Sequence, residues 1–131
     1  MPDTFRVLVT GARSVTDDGT ALIRAKLRMA CASRLPSSIV IVQGKCPSGG
    51  ADRVAEDFPV EHRLNIEAHW AQWSKLGTKA GPMRNAEMVA AGADICLAFP
   101  DSASRGTWDC IRKAADAGIP VRIYPLGPRR A

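Results

Sequence analysis

Several features that would reveal a protein's class are missing from this sequence. Its four cysteines stand far apart without a CxxC pair, so the sequence predicts neither a zinc site nor a disulfide framework. The two histidines, His62 and His69, have no second ligand at metal spacing, and we expect no metal and no cofactor. No apolar run approaches the roughly 18 residues of a membrane span, and the N-terminal MPDTFRVLV is not a signal peptide. We therefore expect a cytoplasmic protein with reduced thiols and no membrane partner.

The length and composition are those of one globular domain. A chain of 131 residues is long enough for a single core and too short for two. We expect one domain over residues 1–131, with a flexible tail at 127–131. The apolar share of 46% excludes a disordered chain. The formal charge of +5 favours anionic partners, but it does not distinguish nucleic acid from free nucleotides.

Short apolar runs typical of buried strands alternate with segments of helical spacing. The runs are Val7–Val9, Ile39–Val42, Ile95–Phe99 and Val121–Tyr124, with a weaker one at Ile66–Trp70. The first helical segment extends from about Thr16, as N-cap, to Arg34, and the second begins at Ala51, with Pro59 ending or kinking the helix. The third extends from near Pro82 to Gly92 and the fourth from about Thr107 to Gly118. This alternation predicts an α/β fold in which a five-stranded parallel sheet is covered by helices on both faces.

The loop after the first strand is the first place where a ligand is expected, because open parallel sheets bind ligands beyond the carboxyl ends of their strands. It reads TGARS and carries one glycine, Gly11, where a dinucleotide fingerprint needs three. A conventional NAD site is therefore not expected. Arg13 and Ser14 could still donate hydrogen bonds to a phosphate.

The second loop, GKCPSGGADR at 44–53, resembles a Walker loop that has lost its lysine. Gly44 and Gly49 have the required spacing, but Gly50 and Ala51 stand where the lysine and hydroxyl should be. Bare backbone N–H groups at Gly49 and Gly50 could approach an anion instead. An equally consistent alternative is a simple turn before the helix, with Asp52 facing solvent.

Two further segments complete the predicted site. In RNAEM at 84–88, Arg84 and Glu87 lie within one helical turn, where a surface ion pair is the common explanation. In SRGTWD at 104–109, Gly106 and Thr107 stand at a helix start that suits a phosphate, although Thr107 could be only an N-cap. Together the four loops give the predicted ligand-binding residues: Gly11, Ala12, Arg13, Ser14, Gly44, Gly49, Gly50, Asp52, Arg84, Asn85, Arg105, Gly106 and Thr107.

These loops together resemble a known family. The resemblance rests on VLVTGARS at 7–14, GGADRVAEDF at 49–58, AGPMRNAEMVAAGAD at 80–94, LAFP at 97–100 and RGTWD at 105–109. The chain is similar to the YspA-like branch of the SLOG superfamily, which also holds the LOG phosphoribohydrolases and, more distantly, the DprA/Smf proteins. The resemblance implies a Rossmann-like sheet in the order 3-2-1-4-5, a nucleotide or nucleotide-derived ligand across the strand ends, and a homodimer or larger assembly.

The similarity to the LOG enzymes is incomplete at the expected acid. Those enzymes cleave the bond between a base and ribose 5′-phosphate, with an arginine and the acid of a PGGxGTxxE motif. Arg84 stands where their arginine stands, but the acid position here is Cys110, and Asp109 precedes it. Adjacent helical residues point about 100 degrees apart, so Asp109 is not an equivalent replacement.

Three functional hypotheses follow. The first is binding or sensing of a nucleotide or an ADP-ribose-like molecule. The second is hydrolysis of an N-glycosidic bond, with Arg84 and an acid from Asp109, Glu87 or Asp52. The third is nucleic-acid binding, which the sequence disfavours because single-strand binders interleave basic residues with exposed aromatics. The tryptophans, Trp70, Trp73 and Trp108, fit equally well in a core or a site wall.

Overall fold

The computed structural model describes residues 4–127, which form an α/β domain around one parallel sheet. Its strands are β1 (Phe5–Gly11), β2 (Ile39–Gln43), β3 (Asn65–Ala68), β4 (Ile95–Phe99) and β5 (Val121–Ile123). They pair in parallel in the order β3-β2-β1-β4-β5. The predicted Rossmann-like fold and strand order are therefore confirmed. The predicted tail at 127–131 lies outside the described residues except for Gly127.

Four helices follow the predicted segments with shifted ends, and a fifth, the short α3, lies in a stretch predicted as a loop. They are α1 (Asp17–Cys31), α2 (Gly50–His62), α3 (Trp73–Leu76), α4 (Ala80–Ala91) and α5 (Arg105–Asp116), with 3-10 turns at Pro36–Ser38 and Gly77–Lys79. Thr16 caps α1 as predicted, because its hydroxyl oxygen accepts a hydrogen bond from the Gly19 N–H at 3.1 Å. The prediction that α1 reaches Arg34 was wrong by one turn.

Pro59 lies inside α2 and does not end it, because the helix continues to His62. The helix closes instead at Arg63, whose φ of 57° is left-handed. The N–H groups of Arg63 and Leu64 both donate to the Pro59 carbonyl. Pro59 thus lacks a donor of its own but supplies the acceptor that closes the helix.

The prediction of Thr107 as an N-cap was also wrong, because α5 begins two residues earlier. Ser104 precedes the helix, and its hydroxyl donates to Asp101 Oδ1 at 2.7 Å and accepts from the Asp101 N–H at 2.8 Å. This turn ends the loop at Ser104. Thr107 therefore lies within the first turn of α5, where its side chain is buried.

Two apolar clusters hold the helices against opposite faces of the sheet. Successive strand residues point to opposite faces, so Val7 and Val9 pack with α1 and α2, while Leu8 packs with α4 and α5. Large side chains from the helices fill each cluster, including Leu27 and Phe58 on one face and Met88 on the other. Each such buried side chain contributes about 1.5–3 kcal/mol. The sheet is thus covered on both faces, as predicted.

Candidate functional site

The carboxyl ends of β1 and β4 form the point where the chain diverges to opposite faces of the sheet. Gly11 pairs with Phe99, so both strands end at one level, and the Ala12 N–H donates to the Phe99 carbonyl at 3.0 Å. The loop after β1 leads to α1 on one face, and the loop after β4 leads to α5 on the other. Such a divergence opens a crevice where α/β proteins bind ligands.

Two predicted ligand glycines are required for packing at this edge. A Cβ on Gly11 would lie 2.6 Å from the Ala51 Cβ, and one on Gly50 would overlap the Ala12 carbonyl oxygen. Gly50 also has a φ of +60°, which disfavours other residues. The Ala51 N–H donates to the same Ala12 carbonyl at 3.0 Å. The start of α2 is therefore seated directly on the loop after β1.

The backbone donors at the start of α2 differ from those predicted. The Gly49 N–H donates to the Cys46 carbonyl at 3.0 Å, so this structure does not leave it open for an anion. The N–H groups of Gly50 and Asp52 have no acceptor within the helix, because no carbonyl of the helix precedes its first turn. Arg105 and Thr107 hold the corresponding first and third positions of α5, with Gly106 between them.

Arg84 joins the start of α4 to the loop after β2. Its guanidinium donates to the Gly44 carbonyl, and its Nε donates to Asn85 Oδ1 at 2.9 Å. A side chain on Gly44 would overlap this guanidinium. The predicted surface pair of Arg84 with Glu87 is not formed, because Glu87 contacts His69 Nδ1 at 2.8 Å instead. The geometry thus fixes Arg84 at the carboxyl edge of the sheet.

Asp52 is a buried acid that interacts electrostatically with this arginine. Its side chain accepts a hydrogen bond from the Cys46 N–H at 3.0 Å, and the residue is only 9% exposed. The alternative in which Asp52 faces solvent was therefore wrong. Burial raises the pKa of Asp52 to about 6, although the Arg84 guanidinium and amide hydrogen bonds from Cys46 and Gly44 favour its charged form.

Asn85 connects Arg84 to α5. Its buried amide Nδ2 donates to the Gly106 carbonyl at 3.1 Å and to Asp109 Oδ2 at 3.0 Å. Lys113 Nζ donates to the same Asp109 oxygen at 2.7 Å. Partial burial raises the pKa of Asp109, but hydrogen bonds from Lys113 and Asn85 outweigh it, and the pKa lies below its usual value. Asp109 is thus held in a polar network rather than free to reach a sugar.

Cys110, at the position of the expected acid, belongs to the core. It packs with Leu8 and Val42 and is fully buried. Burial raises the pKa of its thiol to about 11, against the opposing hydrogen bond with Thr10. A thiol of this kind is uncharged at neutral pH and is a weak nucleophile.

Two clefts open near the carboxyl edge, one at the start of α2 and one at the start of α5. The first, of about 370 Å³, is lined by Lys45, Cys46, Pro47, Gly49, Asp52, Arg53, Glu56 and Trp70. The second, of about 610 Å³, is lined by Ser102, Ala103, Ser104, Arg105, Trp108 and Arg112. Of the predicted ligand residues, Gly49 and Asp52 line the first cleft and Arg105 lines the second. The others, including exposed Arg13 and Ser14, line neither of these two clefts.

The structure adds polar groups that the sequence analysis missed. Gln43, at the end of β2, is completely buried, and its Oε1 accepts a hydrogen bond from the Lys45 N–H. Its Nε2 has no hydrogen-bond partner within residues 4–127. Lys113 was missed because its role depends on Asp109 and Asn85 being neighbours. The one available signal for Gln43 was a polar residue closing the apolar run IVIVQ.

The fold and this edge define a Rossmann-like α/β protein with a polar, arginine-containing crevice at the carboxyl ends of its strands. The chain is 44% identical to the Gene 61 protein of Mycobacterium phage D29 over 121 residues, a match that covers 88% of this chain and 93% of the relative. It therefore belongs to the same family as that phage protein. No model of a known protein family matches the chain, and no solved structure matches it. Within residues 4–127, no helix has the length and apolar character needed to cross a membrane.

Proposed function

We propose that the chain binds a nucleotide or a nucleotide-derived, ADP-ribose-like small molecule at the carboxyl edge of the sheet. The observation that carries the proposal is the buried carboxyl of Asp52, which interacts electrostatically with the Arg84 guanidinium, itself fixed on the Gly44 carbonyl. Burying ionisable groups destabilises a fold, and strongly shifted acids in clefts are enriched at functional sites. The similarity to SLOG proteins supports the same assignment, since Arg84 stands at their characteristic arginine.

Each part of the edge suits one part of such a ligand. The planar Arg84 guanidinium and the first-turn N–H groups of α2 and α5 favour phosphate oxygens. Asp52 can hydrogen-bond a ribose hydroxyl, and the exposed indoles of Trp70 and Trp108 offer stacking surfaces for a base. Both cleft volumes lie in the range of small-molecule sites, roughly 300–1,000 Å³.

A thermal-shift screen tests this proposal. The panel contains nucleoside monophosphates, cyclic nucleotides, ADP-ribose and NAD, and the readout is the ligand-induced change in Tm for each variant. A ligand at about 100 times its Kd stabilises the fold by about 2.7 kcal/mol. We expect Arg84→Ala to lose the shift. Arg28→Ala, which removes an exposed arginine in the last turn of α1, should keep it.

The absence of a shift with every ligand would contradict the proposal, as would an unchanged shift in Arg84→Ala. Self-association, which the family resemblance implies, stays a prediction. Light scattering coupled to size-exclusion chromatography measures it directly.

A second candidate function, N-glycosidic hydrolysis, is favoured by one observation. The pKa of Asp52, raised to about 6 by burial, suits a general acid or base near neutral pH. Asp109 is engaged by Lys113, and Glu87 by His69, so neither has the same freedom. Asp52 therefore replaces Asp109 and Glu87 as the acid that we would test first.

Release of free base from nucleoside monophosphates or NAD measures this activity. We expect any release to disappear in Asp52→Asn and to persist in Asp109→Asn. If no ligand of the panel releases base while some still shift the Tm, binding without hydrolysis is the function.

A further inference from the structure

The structure decides between the two positions that the sequence left open for the tryptophans, a core and a site wall. Trp70, Trp73 and Trp108 are 67%, 37% and 42% exposed, so none belongs to the core. Nucleic acid was disfavoured because a core or a site wall could explain these rings equally well. The core explanation is excluded for the pair nearest in sequence, Trp70 and Trp73, and of these two Trp70 lines the first cleft.

Trp70 and Trp73 belong to a basic aromatic segment, residues 70–84, which reads WAQWSKLGTKAGPMR. It contains Lys75, Lys79 and Arg84 and no acidic residue. Both lysines are exposed, as is Met83. The acids on either side of the segment, Glu67 and Glu87, both face His69, at 2.8 Å from its ring nitrogens. The segment therefore presents positive charge and aromatic surface together.

The fold holds these rings at the carboxyl edge of the sheet. Trp73 begins α3, and a Cβ on Gly81 would lie 3.1 Å from its ring, so the indole is supported by the start of α4. The Arg13 guanidinium lies 6.0 Å from the centroid of the same ring. Trp70, three residues earlier, lines the first cleft and is the most exposed tryptophan. Arg13 therefore flanks Trp73, while the cleft beside Trp70 holds both bases, Lys45 and Arg53, and acids, Asp52 and Glu56.

We propose that the basic aromatic segment binds single-stranded nucleic acid. Bases stack on the indoles of Trp70 and Trp73, while Lys75, Lys79 and Arg13 contact phosphates. Interleaved cations and exposed aromatic rings suit a single strand, because unpaired bases expose their π-faces. The same surface offers a duplex only the charge contribution. This function goes beyond small-molecule binding and does not depend on it.

Fluorescence anisotropy with the full chain tests the proposal. The probe is a fluorescein-labelled single-stranded oligothymidine of about 20 nucleotides, titrated at salt concentrations from about 50 to about 200 mM. Stacking contributes about 1–3 kcal/mol per base, so we expect Trp70→Ala to weaken binding about tenfold or more. The control is Met29→Ala, which removes an exposed large apolar side chain of α1 outside the segment and both clefts and should leave the affinity within about twofold.

The salt dependence gives an independent readout. Each lost phosphate contact makes the negative slope of log K against log salt shallower by about 0.7 for a single strand. The double variant Lys75→Ala/Lys79→Ala should therefore make it shallower by about 1.4. Arg28→Ala should leave the slope unchanged. Circular dichroism verifies the fold of each variant, and the lysine pair still tests the proposal if Trp70→Ala fails to fold.

Three results would overturn the proposal. They are no binding at the lowest salt, equal affinity for a duplex of the same length, and binding to anionic lipid vesicles without binding to the oligothymidine. Retention of the nucleotide-induced Tm shift in Lys75→Ala/Lys79→Ala would separate this function from the small-molecule site.

Discussion

The starts of α2 and α5 look alike in sequence but are built differently. Both place glycine in the first turn of a helix that follows a buried strand. Gly50 is pressed against the Ala12 carbonyl with a φ of +60°. At Gly106, by contrast, no atom outside its own helix and chain neighbours lies within 4 Å of an added Cβ among the described residues. The first glycine is explained by packing, and the second leaves room for a ligand.

The acids near the two helix starts differ in the same way. Asp52 of α2 is buried and has a pKa raised to about 6. Asp109 of α5 is engaged by Lys113 and Asn85, and its pKa is lowered. The comparison teaches that the role of a glycine or an acid after a strand cannot be assigned until its neighbours in the fold are known.

The largest expected effect is the difference in stability between alanine substitutions of the two glycines. Gly50→Ala should lower the free energy of unfolding by about 3 kcal/mol or more, because it combines a left-handed φ with an overlap against backbone. Gly106→Ala should instead raise it by about 0.5–1 kcal/mol, since alanine favours the helix. Urea denaturation measures both. Equal losses in the two variants would mean that both helix starts are packed.

Asp52→Asn should stabilise the protein at neutral pH. The folded-state pKa of about 6 exceeds the ordinary 3.8, so the stability linked to protonation is complete below about pH 4 and is lost as pH rises through 6. The shift of about two units corresponds to roughly 3 kcal/mol. Asparagine cannot accept from both the Cys46 and Gly44 amides as the carboxylate does, which offsets part of this stabilisation. We therefore expect the free energy of unfolding to rise by about 1–2 kcal/mol at pH 7. Urea titrations at pH 4 and pH 7 test this, and a pH-independent difference would refute it.

Asp109→Asn should lower the free energy of unfolding, and by less than Asp52→Asn raises it. The folded-state pKa of Asp109 is lowered, so its charge contributes stability above the ordinary pKa, and this contribution is lost as pH falls below it. The pairs with Lys113 and Arg112 are partly solvated, so we expect a loss of about 0.5–1 kcal/mol at pH 7. High salt should reduce the loss. A stabilising substitution would show that Asp109 resembles Asp52 after all.

Trp108→Ala should change stability least. Its side chain lies at the open second cleft, so we expect a change within about 0.5 kcal/mol. If the α5 start contacts a ligand, the same variant should reduce the nucleotide-induced Tm shift. A large loss of stability would mean that this helix start is packed like that of α2.

Much of the fold could be predicted from local patterns. The apolar runs located the strands, including β4 at its full length, and Thr16 was identified as the cap of α1. Helix ends were less predictable, because the Asp101–Ser104 turn and the closure of α2 on Pro59 depend on hydrogen bonds with no periodic signal. The predicted loops do meet at one edge, but the roles of Asp52 and Glu87 depended on contacts that no single loop specifies.

The sequence by itself determined the alternation of strands and helices, and hence a parallel sheet whose strand ends share one edge, because side-chain periodicity is a local property. Only the tertiary structure decided that Arg84 meets Gly44, that Asp52 is buried, and that Trp70 and Trp73 are exposed. The physical reason is that the crossovers bring together residues about forty positions apart. Burial and charge at this edge are then set by those neighbours rather than by the residues' own types.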